Sequence, residues 1–198
     1  ADITLKSEDL INVNSMINAD DSIVIEGGSG ASGSGVFVEK LLFTDYEYDA
    51  TSGLITNKDY LSGGIIKTGD NGTIDISSDD DIIIKGVVGE LDANANAVTK
   101  SVTLTTLSSD ITVQGQANTY STTLSDGSTY EGVEYNYARV DAKDLIDVYA
   151  KNINVLQNSL VSARSDISRV ELEAVKTVFI SSAIDPDQGG IVKAKDLM

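Results

Sequence analysis

Eleven short units of this chain place two aliphatic side chains one residue apart: Ile3/Leu5, Ile11/Val13, Ile23/Ile25, Ile74/Ile76, Ile82/Ile84, Val102/Leu104, Ile111/Val113, Ile146/Val148, Ile153/Val155, Val170/Leu172 and Val178/Ile180. That alternation has the period of a β-strand that buries one face, and three residues suffice for a strand but not for a helix. The spacers are rich in Ser, Asn, Asp and Gly, which tolerate left-handed backbone or bond their own main chain. The units read as strands and the spacers as corners.

The spacing between units selects the architecture. Ile3 to Ile23 is 20 residues, Ile74 to Val102 is 28, Ile82 to Ile111 is 29, Ile146 to Val170 is 24, Ile153 to Val178 is 25 and Leu160 to Ile184 is 24. Units shift together in pairs, and recurrence at 20 to 30 residues is the signature of a solenoid. An internal repeat supports it: Ile11-Asn-Val-Asn-Ser15-Met-Ile17-Asn-Ala19 matches Ile153-Asn-Val-Leu-Gln-Asn-Ser159-Leu-Val161-Ser-Ala163, with two extra residues in the second copy. Val178 to Ile184 reads as a degenerate third copy. The expectation is a single all-β domain over residues 1–198, a β-solenoid of about seven or eight coils that buries by stacking what no coil buries alone.

Two segments break the rhythm, at about 26–72 and 116–139. The first opens on the Gly- and Ser-rich run Gly27 to Gly35, and the second holds Asp126-Gly127, a hairpin turn signal. Both read as β-hairpin-like excursions. Against this picture, Tyr149, Ile153, Leu156, Leu160, Ala163, Ile167, Val170, Ala174 and Val178 follow the 4-3-4-3 spacing of a long helix. The Asn and Ser residues between them and the β-branched Thr177-Val178 disfavour a helix interior, so strands are the preferred reading.

Composition narrows the function classes. With 14 Lys+Arg against 31 Asp+Glu the net charge is −17, which argues against nucleic acid as a partner. Without Cys or His, thiol chemistry, Cys or His zinc sites and Ser-His-Asp hydrolysis are closed. No run approaches the roughly 18 apolar residues of a transmembrane segment. The opening Ala1-Asp2 reads as a processed terminus, and the absence of Cys suits an exported protein, so an extracellular location is expected.

Asn152-Ile-Asn-Val-Leu-Gln-Asn-Ser-Leu-Val-Ser-Ala163, followed by Val170-Glu-Leu-Glu-Ala174 and Val178-Phe-Ile-Ser-Ser-Ala183, resembles the repeats of filamentous-haemagglutinin-type exoproteins, as do Leu10 to Gly27, Asp81 to Gly89 and Asp110 to Gly115. About half the chain is covered. The resemblance implies a right-handed parallel β-helix secreted by a bacterium. The Asn-Pro-Asn motif of that family's secretion domain has no counterpart here.

Candidate sites are few. Asp79-Asp80-Asp81, with Asp70 and Asp75 near in sequence, offers carboxylates at a corner that could gather the oxygens Ca²⁺ requires. Asp45-x-Glu47-x-Asp49 has the opening of a calcium loop but Ala50 where the EF-hand needs Gly, and Asp185-Pro-Asp187 fits a tight turn equally well. Solvated acidic turns are the competing reading for all three, and no other cofactor is indicated. Asn71-Gly-Thr73 reads as a turn. Arg139, Arg164 and Arg169 are expected to pair with neighbouring acids. Tyr120, Tyr130, Tyr135 and Tyr137 mark the second excursion as a contact surface for another subunit, surface glycans or a host receptor. No catalytic residue is assigned. The expectation is a non-enzymatic, self-assembling structural or adhesive protein of an extracellular fibre or cell surface; the alternatives are a carbohydrate-active β-helix enzyme and a receptor-binding, tail-spike-like module.

Overall fold

Each of the eleven units lies on a strand, and parallel pairing stacks them. The computed structural model describes residues 1–28, 35–49, 51, 54–89, 97–124, 126–181, 190–193 and 196–197; among them the protein is all-β, with no helix. The first pass of the chain is β1 (Ile3–Lys6), β2 (Leu10–Val13) and β3 (Met16–Ala19). The second is β4 (Ser22–Gly27) and β5 (Gly35–Val38), then a hairpin of β6 (Leu42–Asp49) and β7 (Leu54–Ser62), then β8 (Ile65–Thr68). The third is β9 (Thr73–Ser78), β10 (Ile82–Ile84) and β11 (Val87–Val88). The fourth is β12 (Ser101–Thr106) and β13 (Asp110–Val113), a hairpin of β14 (Gln116–Thr123) and β15 (Thr129–Asn136), and β16 (Ala138–Ala142). The fifth is β17 (Leu145–Val155) and β18 (Ser159–Ala163), the sixth β19 (Arg169–Ile180) and β20 (Gly190–Lys193), and β21 (Asp196–Leu197) follows.

Corresponding strands of successive passes form three parallel ladders. The first runs β1, β4, β9, β12, β17, β19, β21, the second β2, β5, β10, β13, β17, β19, and the third β3, β8, β11, β16, β18, β20. Because β17 and β19 each span two ladders, the first two join into one 11-stranded sheet, and the third is a separate 6-stranded sheet. The expected count of seven or eight is met by seven strands in the first ladder only; six passes cross all three.

Register is one-to-one within each ladder. Ile3, Ile23, Ile74, Val102, Ile146 and Val170 occupy one column. Ile11, Val36, Ile82, Ile111, Ile153 and Val178 occupy a second. Ile17, Ile66, Val88, Val140, Val161 and Val192 occupy the third. Away from the two end passes these side chains are fully buried. A side chain slipped by one residue would point to the opposite face, so the columns fix the register.

The expected pairings of Ile3, Ile74, Ile82, Ile146 and Ile153 with the unit one pass later are all present. Leu160 with Ile184 is not: Leu160 pairs Ile191, because Val192 is the side chain that continues the Val161 column. Ile184 lies outside the described residues, so only the first half of the third repeat copy, Val178 to Ile180, holds the repeat's ladder position. The antiparallel parts of the two excursions are 42–62 and 116–136. Within 26–72, Val36, Val38 and Ile66 point inward, which keeps β5 and β8 in the parallel ladders.

Ile111, with no exposed surface, sits in the middle of the second column. Ile111→Ala is expected to cost about 3–4 kcal/mol, by lost transfer energy and a cavity that stacked β-strands cannot close. The exposed Thr4→Ala should stay within about 0.5 kcal/mol. Urea unfolding of the three proteins followed by circular dichroism checks the difference.

Candidate functional site

Both hairpins leave the ladders at the same corner, between a second-ladder strand and a third-ladder strand, two passes apart. That places them side by side. β14 packs on β6, Asn136 Nδ2 donates to the carbonyl of Leu41 at 3.1 Å, and Lys40 Nζ donates to Asn118 Oδ1 at 3.3 Å. The β14–β15 turn is closed by Asp126, which accepts bonds from Ser128 N at 2.9 Å and Ser128 Oγ at 2.6 Å; these bonds hold its carboxyl below the ordinary carboxylate range. Gly127 takes the positive φ of 84° that the expected Asp-Gly turn requires.

On this hairpin Tyr120 stands directly across from Gly132, and its ring covers the space a side chain there would fill: a Cβ at 132 would lie 2.6 Å from the ring. Tyr120 and Tyr130 pack with centroids 6.1 Å apart and planes tilted by 43°. Thr119, Ser121, Glu131 and Val133 border a shallow groove beside Tyr120, with Val133 half exposed. Tyr137 is partly exposed on the connection to β16. Tyr135 pairs through its backbone with Ala117, and its side chain is outside the described residues. The structure thus brings Tyr120 and Tyr130 together on one face.

The acidic candidates are dispersed. Asp79, Asp80 and Asp81 form the β9–β10 turn, whereas Asp70 lies in the β8–β9 turn at the other end of β9. Within the triplet, Asp80 Oδ1 accepts from Asp81 N at 3.1 Å and from Ser109 Oγ at 3.4 Å. Asp81 Oδ1 accepts from Asp110 N at 3.0 Å, and Asn152 Nδ2 in turn donates to Asp110 Oδ1 at 2.6 Å. These carboxylates therefore tie corner to corner across three passes. Glu47 and Asp49 lie on β6, where breaks in the register interrupt strand alternation, and Asp49 caps the following turn by accepting from Thr51 N at 2.9 Å. The Asp45 side chain and residues Asp185 and Asp187 lie outside the described residues. Among the described residues no three His, Cys, Asp or Glu side chains gather as a metal would need. Asn71 sits in a turn with φ 66°.

A stronger charged cluster stands elsewhere. Asp141, with no exposed surface, accepts from Arg139 Nε at 2.9 Å and from Arg164 Nε at 3.0 Å. Arg139 and Asp141 are two residues apart on β16 and so share its outer face, and Arg164 follows the next strand of that ladder, β18. A Cβ at Gly89, whose φ is +87°, would meet the Asp141 carbonyl oxygen, so only glycine allows the preceding pass to approach this closely. Arg169 pairs with Glu171, which completes the expected pairing of all three arginines with nearby acids. The spacing Arg-x-Asp was legible in the sequence; that Asp141 is buried was not, because burial there depends on neighbouring passes.

No family model, curated protein or solved structure matches the chain. No helix among the described residues is long and apolar enough to cross a membrane.

Removing one member of a buried ion cluster strands the others, so Asp141→Ala is expected to cost about 3 kcal/mol, the low end of the range because both arginines reach water; its unfolding midpoint against the parent's checks this. Asp75 offers a pH test. Asp75 is exposed, yet partial desolvation by its neighbours, then the negative charge of Glu26, raise its carboxyl above the ordinary range. The folded state thus holds the Asp75 proton more tightly than the unfolded one, and ionising the group costs stability as pH rises through the carboxylate range. Asp75→Asn should raise the urea midpoint at pH 7 and leave it unchanged near pH 2.5.

Proposed function

We propose that the three ladders are the faces of a right-handed parallel β-helix and that the protein is a stiff structural or adhesive segment of an extracellular fibre or cell surface. The one-to-one register of all three ladders carries this reading. Strands from one continuous chain that pair with the same partners in every pass make a rod, since each pass adds about 4.8 Å along a single axis. The filamentous-haemagglutinin-like repeat fits it, because its copies 11–19 and 153–163 occupy the same ladder positions four passes apart.

The paired hairpins supply the contact surface of such a rod. They stand at one corner, expose the groove beside Tyr120, and lie outside the inward columns. Tyr presents broad amphipathic area at small entropic cost, which suits a glycan, a receptor or another copy of the chain. No catalytic group and no cofactor enters the proposal. An acidic surface with net charge −17 keeps such rods apart until a specific contact forms.

Negative-stain electron microscopy of the purified chain, over a concentration series, tests the reading. Rods or filaments of uniform width are expected. Squat trimers would replace it with the tail-spike-like alternative, and round particles at every concentration would overturn it.

A further inference from the structure

The first and last passes present surfaces that the interior passes bury. At one end Leu5, Leu10 and Met16 are 36–47% exposed, and among the described residues no strand pairs the outer edge of β1, β2 or β3. At the other, Val178, Phe179 and Ile180 are 42–50% exposed, and the second- and third-ladder edges, residues 177–180 of β19 and β20, have no partner among the described residues. Unpaired parallel edges with apolar side chains are templates for another chain.

We propose that these two surfaces are one heterologous interface, in which the β1–β3 face of a second copy adds to the β19–β20 face of the first in the register the ladders already use. This rests on the β-helix reading above and specifies how its copies join. The columns set every contact. The position that holds Ile3 in the first pass holds Val170 in the sixth, Leu5 corresponds to Leu172, Ile11 to Val178, Val13 to Ile180, and Ile17 to Val192. Continued by one pass, aliphatic meets aliphatic at each inward position.

Charge complementarity selects a second copy as the occupant. The same columns place Asp2 over Arg169 and Lys6 over Glu173. The spacing from Lys6 to Leu10 equals that from Glu173 to Thr177, which continues the match through the corner and sets Asp9 over Lys176. All three charged-on-charged positions pair opposite signs, in both orders, and Asp9 and Lys176 are exposed in the single chain. On a chain with 31 acids and 14 bases, random placement would set acid against acid about as often as it pairs opposite signs, whereas here no like-charged pair occurs. One competing contact is built in: β21 pairs Arg169 and Val170 through two residues, where the four residues of β1 would sit. Joining displaces that short strand, and a parallel strand of twice the length replaces it.

The test is a charge swap read by sedimentation velocity at about 0.15 M salt. Asp9→Lys and Lys176→Glu, each alone, put like charges in contact and should weaken self-association about fivefold or more. The Asp9→Lys/Lys176→Glu double variant, and an equimolar mixture of the two single variants, should recover it. Amide exchange should slow in β2, β3 and residues 177–180 on assembly. Both positions are exposed, so unfolding midpoints near the parent's will show that the variants fold. Assembly that ignores the swap, or leaves those edges unprotected, overturns this register while the fibre reading stands; a parent chain that stays monomeric at every concentration overturns both.

Discussion

The governing constraint is the parallel backbone ladder. A parallel strand cannot obtain its partner through a tight hairpin, so the chain must travel through a whole pass before its amides meet the next strand. Each ladder residue's partner then lies 20 to 52 residues away, as with Ile3 and Ile23 or Val88 and Val140. With no freedom to slip, an inward side chain in one pass requires an inward side chain of similar size above and below it. The interior is accordingly narrow and aliphatic: Ile, Val, Leu and Ala fill it, and the aromatic residues stand on outer faces and hairpins. The absence of Trp and the scarcity of Phe follow from this geometry, since a thin column has no room for a large ring.

The ladders explain how much the sequence discloses. The first two were visible, apart from β5, which the sequence pattern assigns to an excursion, and the two-residue β21, because each contributes two aliphatic side chains per pass. The third ladder was not, for a physical reason. Its strands each turn one large aliphatic residue inward, Ile17, Ile66, Val88, Val140, Val161 or Val192, between positions held by small ones such as Gly64, Gly86, Ala138 and Ser159. One branched residue flanked by Gly, Ser or Ala has no period to detect. Small residues are needed there because a tight corner draws the backbone of adjacent passes together. A Cβ at Gly86 would lie 2.2 Å from the Gly64 carbonyl oxygen. The acidic turns show the converse: Asp79 to Asp81 stand out in the sequence, yet their bonds to Ser109 and Asp110 depend on a corner 29 residues away, which no local pattern reveals.

Insertions obey the same logic. Four residues separate Val13 from Ile17 and Ile84 from Val88, but 28 separate Val38 from Ile66 and 27 separate Val113 from Val140. The columns on either side are undisturbed, because a corner only has to return the chain to the next ladder, and loop-closure entropy rises slowly with length. Adding a hairpin at a corner is therefore cheap, and adding a residue within a strand is not. The bulge of β19 between Ala174 and Thr177, opposite Ala150 to Asn152 of β17, is the exception, and it falls where the first ladder turns into the second.

Charge is distributed by the same division of labour. On the outer faces most carboxylates are solvated, where a surplus of negative charge costs little and opposes random aggregation of β-edges. Asp141 departs from this, and its departure is informative. A carboxylate buried within a net −17 chain can persist only because two of the three arginines are committed to it, and they come from consecutive strands of one ladder. Replacing a whole buried ion cluster by aliphatic side chains is commonly neutral or stabilising, but such side chains would match any neighbouring pass equally well. The ion cluster does not: Arg139 and Asp141 on β16 accept only a pass that offers a cation at the end of its β18 segment. In a structure whose interior columns are nearly interchangeable from pass to pass, that makes Asp141 a marker of which pass follows which.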